Sequence, residues 1–354
     1  MTRVELWEKL REEGLVSGDL PAADISSSPW PVRAMLGIAG WLGALFLLGF
    51  AAATFAILFR NAAAAIPAGL ICCGAALAAF RGSPRSDFVG QFGFAISLAG
   101  QGLILFGLGN ALGENALAGM FLLMAAVEAA LVFALPNYIH RVFTAWMAIL
   151  CLSVASVKLG LPGLASGVAA GGAACIWLSP VRIVSRSDLW EPVGLGLALG
   201  LVQVEGALLI GDELWREIFR SYTATPLWVA RIGPAMVGLV LAYTVWTLLE
   251  RTGVSPRSRA GALLLAAAAV LAIGGLAAPG VAAAILILVL GFANGNRVLM
   301  GLGLLALAAY LSHFYYQLHL TLLVKSLVLA ATGSALLAIR WSIARFVPEG
   351  SADA

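Results

Sequence analysis

Five ionisable side chains lie inside long apolar runs: Glu128, Glu205, Arg231, His313 and Lys325. A charge at the middle of a bilayer costs at least about 2.5–3.5 kcal/mol, so residues of this kind are the first place to look for chemistry. Two amides, Gln101 and Gln203, sit in comparable runs. Apart from Glu128, all of them fall towards the same end of their segments. That placement predicts a polar site opening to the outer side. Three uses are open to it: a structural ion pair such as Glu205 with Lys325, a transport or proton-relay site, or a dock for another subunit. Glu128 stands apart, in the inner half of its segment, with no evident base at its depth on a neighbouring segment. It is either a protonatable site or a hydrogen-bonding group between helices.

The run Tyr310 to His319 ends another apolar segment with Tyr315 and Tyr316, which read as an aromatic belt at the membrane interface. His313 and Gln317 share a helix face; His319 does not, and His140 reads as lying at the opposite end. No metal is expected. The stretch Asp212 to Arg220 carries Leu214, Trp215, Ile218 and Phe219 at helical spacing. With Tyr315 and Tyr316, Trp215 and Phe219 form a candidate partner-binding surface, or a stripe lying on the membrane. The cysteines Cys72, Cys73, Cys151 and Cys175 fall in apolar stretches with no Cys-x-x-Cys spacing, as packing residues do. Phosphate loop, His-Glu-x-x-His, Gly-x-Ser-x-Gly and Gly-x-Gly-x-x-Gly are all missing, so no catalytic residue and no cofactor is expected.

The elements that position these residues follow from composition. Of 354 residues, 61% are hydrophobic and 11% charged. Soluble domains carry about 45–50% and about 25%. A chain this apolar has lipid as its main solvent. Its net charge of +3, with no run of basic residues, argues against nucleic acid as a partner. A crossing helix needs about 20 apolar residues, which gives twelve expected spans: 34–59, 62–80, 88–109, 116–135, 142–158, 161–178, 193–211, 227–249, 260–277, 279–293, 298–318 and 320–339. The short tenth and the weak breaks among the last four leave ten or eleven open. The expected fold is all-α, a polytopic transmembrane helix bundle. It divides into a 1–33 cytoplasmic segment with a short amphipathic helix, a 34–340 bundle and a 341–354 cytoplasmic tail. With the N-terminus inside, fifteen Lys and Arg residues fall on inner segments and four on outer ones. That asymmetry predicts both termini in the cytoplasm.

Three stretches share an order of landmarks. Arg33, Arg141 and Arg259 each open a helix, and Pro67, Pro162 and Pro279 mark outer turns. Arg85, Arg186 and Arg297 open a third helix, with Gln101, Gln203 and His313 following 16, 17 and 16 residues later. This order suggests three four-helix units, about 33–140, 141–258 and 259–345. Gly167-x-x-x-Gly171 and Gly196-x-x-x-Gly200 each place two small residues on one face, suited to helix packing or to a partner.

Further segments carry a resemblance: Pro29-Trp30, Trp41 to Phe50, Arg85 to Phe88 with Gln91, Ser97 to Gln101, Gly295-Asn296-Arg297, Tyr315-Tyr316 and Leu322 to Ser326. In this order they resemble a family of bacterial multi-spanning membrane proteins classified only as a domain of unknown function. Its members are often encoded beside GDYXXLXY-type proteins. The resemblance implies a bacterial inner membrane and a GDYXXLXY-type partner, and it supplies no catalytic residue. Together with the lipid bilayer as solvent, these readings lead to a non-enzymatic subunit of a membrane complex. The alternatives are a small-solute or proton-coupled transporter and, more distantly, an intramembrane lipid-modifying enzyme.

Overall fold

The computed structural model describes residues 3–14, 18, 30–54, 62–82, 86–113, 116–210 and 227–317, and every described element is a helix. In chain order they are α1 (Arg3–Glu12), α2 (Trp30–Thr54), α3 (Ala62–Gly82), α4 (Asp87–Leu112) and α5 (Leu117–Ala134). Next come α6 (Tyr138–Lys158), α7 (Leu164–Trp177), α8 (Pro180–Ser185) and α9 (Ser187–Ile210). The last are α10 (Leu227–Ala230), α11 (Ile232–Arg251), α12 (Arg259–Ala277), α13 (Val281–Ala293) and α14 (Arg297–Gln317).

Among the described residues, seven helices are long and apolar enough to cross a membrane: Ala64–Gly82, Asp87–Leu112, Leu117–Ala134, Tyr138–Lys158, Trp228–Arg251, Arg259–Leu276 and Arg297–Tyr316. Three shorter apolar helices, Met35–Gly49, Leu164–Trp177 and Val281–Ala293, accompany them. The chain is an all-α, multi-pass membrane protein. Eleven of the twelve expected spans coincide with helices, and the span expected at 320–339 lies outside the described residues.

Short polar signals set the helix starts. Ser86 accepts from Val89 N–H, Ser258 from Gly261 N–H and Asn137 from His140 N–H, each satisfying a donor that the first turn leaves bare. The Asn137 cap corrects the sequence reading. It starts α6 at Tyr138 rather than at 142, so His140 and Arg141 belong to the helix and are buried. The six-residue α8 between α7 and α9 was not expected either.

The main core lies among α6, α7, α9, α11, α13 and α14, around Leu201, Leu241, Leu286, Ile287 and Leu290. Smaller clusters join α2 to α6, for example Phe80 and Phe94 with Leu135. Outward, the bundle shows Phe46 at 79% exposure, Phe292 at 80% and Leu305 at 72%. A water-soluble surface would not carry such residues on so many helices.

Neighbouring helices pack in pairs: α3 with α4, α5 with α6, α6 with α9, α11 with α12, and α13 with α14. Small residues permit the closest approaches. A Cβ on Gly69 would stand 2.6 Å from Gly100 O, and one on Gly200 would stand 2.8 Å from Ile149 Cβ on α6. Gly196 faces the same helix through Val142 O and Ala145. The pair Gly167 and Gly171 behaves differently, because Gly167 packs on Met236 while Gly171 meets nothing.

Candidate functional site

A polar group forms where α3, α4, α5 and α6 meet. Along α4, buried Gly93, Ser97, Gly100, Gln101 and Ile104 follow helical spacing and line one face. On α5 the buried stripe is Met120, Met124, Glu128 and Val132, so the carboxyl of Glu128 shares the face that packs inward. From α6 come His140, fully buried, and Thr144 one turn later.

Ser97 Oγ lies 2.8 Å from His140 Nε2. The side-chain nitrogen of Gln101 lies 3.3 Å from Ser97 Oγ and 3.3 Å from His140 Nε2. Phe80 and Phe94 present their rings edge-on to the imidazole, at 6.0 and 5.9 Å between centroids. Thr144 Oγ1 donates to His140 O, and Cys73 Sγ points to Ser97 O at 3.9 Å. Glu128 stands within electrostatic reach of Cys73 and of Cys151. It is 1% exposed, and neither of its oxygens has a hydrogen-bond partner among the described residues. The same holds for His140 Nδ1. One carboxyl and one imidazole nitrogen are thus orphaned in the interior of a membrane bundle, where an unmet polar group is costly.

Arg141 turns the other way and ties the surrounding helices. It donates to Val132 O at 3.2 Å, to Asp188 O at 2.8 Å and to Asp188 Oδ2 at 3.0 Å. Beside it, Tyr138 donates to Glu191 Oε1.

The polar residues expected to gather at the outer side do not form one cluster among the described residues. Gln101 joins His140 instead. Gln203 is exposed and accepts from Trp146 Nε1 at 2.9 Å. Glu205, two residues on and about 200° around the helix, is 1% exposed and accepts from Gly280 N–H. Arg231 is exposed at the start of α11, and His313 is half-buried against Phe314. Tyr315 and Tyr316 meet edge-on at 5.6 Å, with Tyr316 78% exposed. Lys325, Trp215 and Phe219 lie outside the described residues.

His140 and Ser97 were the site residues missed from sequence. Reading Arg141 as the helix opener placed His140 outside the membrane segment. The cap signal Pro136-Asn137 and the four-residue spacing of Ser97 and Gln101 were the clues available.

A family model described as a domain of unknown function, DUF4401, matches residues 29–346. The chain belongs to this family. The match takes in every described helix from α2 onward, so the polar group just described lies within the family domain. No curated protein and no solved structure matches the chain.

Proposed function

We propose that this chain is a non-enzymatic protein of a bacterial inner membrane that couples the passage of a small solute to a proton held at Glu128. One observation carries the reading. Glu128 is buried within a membrane-crossing helix, and its carboxyl oxygens have no partner among the described residues. A carboxyl retained there works by gaining and losing a proton as water or a cation reaches it; as a packing device it would have acquired a donor. Elsewhere in the same bundle, buried Ser97, Gln101 and His140 supply a second group able to exchange a proton.

The test is proton entry into proteoliposomes under an imposed membrane potential, read by a trapped pH-sensitive dye. Wild-type protein is expected to pass protons and Glu128→Gln to stop doing so while remaining folded. Equal entry in both would remove Glu128 from the reaction. Both termini face the cytoplasm in this proposal, on the fifteen-to-four distribution of basic residues. A reporter after Ala354 that works only outside the cytoplasm would reverse it.

A second reading, a subunit of a membrane complex, is favoured by Trp228 and Tyr316, exposed at 71% and 78% near helix ends. The partner to try is a GDYXXLXY-type protein. Its stoichiometric co-purification in mild detergent, lost in Tyr316→Ala, supports this reading; failure to co-purify counts against it.

A further inference from the structure

We infer that Ser97 and Gln101 hold His140 in one ring tautomer, with its hydrogen on Nδ1, and so decide which nitrogen can take up a proton. The functional meaning rests on the proton-coupled reading above; the tautomer itself does not.

The geometry leaves little choice. The Gln101 amide nitrogen carries two hydrogens and accepts none. It donates to Ser97 Oγ at 3.3 Å and stands 3.3 Å from His140 Nε2, so that ring nitrogen faces an amide that cannot accept. A ring nitrogen accepts only when it carries no hydrogen. Ser97, having accepted from Gln101, turns its own hydroxyl hydrogen to Nε2 at 2.8 Å. Nε2 is therefore bare and accepts from the Ser97 hydroxyl, and the neutral ring keeps its hydrogen on Nδ1. The opposite tautomer would set the ring N–H against the amide N–H.

The surroundings reinforce the arrangement. Phe80 and Phe94 meet the ring edge-on and restrict its rotation. Thr144 bonds the His140 carbonyl, and Asn137 the His140 N–H, which anchors the backbone on both sides.

A directional consequence follows. Uptake of a proton forms a new N–H bond at Nε2 and gives the imidazolium, the proton being delivered by hydronium, which is left as water. That step requires the Ser97 hydroxyl to rotate and the Gln101 amide to turn its oxygen inward. Charging His140 thus reorients two side chains of α4. Ser97 and Gln101 are positioning residues, and Nδ1–H, unpartnered among the described residues, is the hydrogen left available to a water.

Nitrogen-15 NMR of histidine-labelled full-length protein in lipid nanodiscs reads the tautomer directly. The chain has three histidines, and His140→Gln identifies the relevant signal by its loss. The expected wild-type spectrum shows a protonated Nδ1 and a bare Nε2 at His140. Ser97→Thr, which keeps the hydroxyl, should preserve it. Ser97→Ala with Gln101→Leu should move at least half of the population to the Nε2–H form. A wild-type ring with its hydrogen on Nε2, the state that a turned Gln101 amide would support, overturns the inference without any variant. An unchanged Nδ1–H signal in the double variant overturns the role of these two residues. Neither result bears on Glu128→Gln flux, so the two readings fail separately.

Discussion

Glu205 Oε2 on α9 accepts a hydrogen bond at 2.9 Å from Gly280 N–H, 75 residues further along the chain. That N–H belongs to the first turn of α13, where four donors have no partner within the helix. A carboxyl from a distant helix thus satisfies the N–H of the N-cap glycine itself. Ser166 on α7 stands beside the same carboxyl. Tyr310 of α14 covers Gly280 and donates to Val202 O at 2.6 Å. Hydrogen bonds thus tie α9, α13 and α14 at one buried point, with α7 alongside.

Replacing Glu205 separates the cap from the charge. Glu205→Gln keeps an oxygen for Gly280 and should unfold within about 1 kcal/mol of wild type. Glu205→Leu strips a buried N–H of its acceptor and should cost about 1–3 kcal/mol. Denaturation in mixed micelles compares them; equal stability of Gln and Leu variants would show that the bond contributes nothing.

Gly280 meets two separate demands. Its φ of +91° disfavours a side chain, and an added Cβ would stand 2.8 Å from the Tyr310 ring. Gly280→Ala should destabilise by more than about 1 kcal/mol. Tyr310→Val should recover part of that loss in a double-mutant cycle, because it relieves the clash and leaves the backbone strain. Full recovery would mean that strain is absent.

Glu128 makes no hydrogen bond with a described residue, so folding should not depend on its carboxyl. Glu128→Leu is expected to unfold at or above the wild-type temperature, since hydrogen bonds inside membranes average only about 0.6 kcal/mol even when present. A loss of several degrees would reveal a structural partner and weaken the transport proposal.

Arg141 is the tie between α5, α6 and α9 on the other side of His140. Arg141→Met removes donors from Val132 O and from Asp188, whose backbone and carboxylate both accept. A cost of about 2–4 kcal/mol follows, with Arg141→Lys only partly restoring it because an ammonium lacks the planar fork. Thermal unfolding of the three proteins orders them.

Gly200 and Gly171 give a paired comparison. Gly200→Val pushes into Ile149 and should separate α9 from α6 at a cost of about 1–3 kcal/mol. Gly171→Ala meets nothing within 4 Å and should be neutral or slightly stabilising. Both are read by unfolding in detergent, and a harmless Gly200→Val would show that the close approach is not needed.

The amino-acid sequence by itself determined the solvent and the element type. Long apolar runs in lipid can satisfy their backbone only as helices, and eleven expected spans met helices for that reason. It also marked Glu128 and Glu205 as costly residues, because burial in lipid is a property of the run they occupy. Which polar residues meet was decided only by the tertiary structure. Depth along a span is read from residue number, but azimuth around the bundle depends on which helices become neighbours. Gln101 and Gln203 shared a depth in the sequence reading. Packing turned one towards His140 on α6 and the other towards Trp146. Glu205 found its partner in a turn 75 residues away because α9 and α13 pack together, and no local spacing encodes that contact.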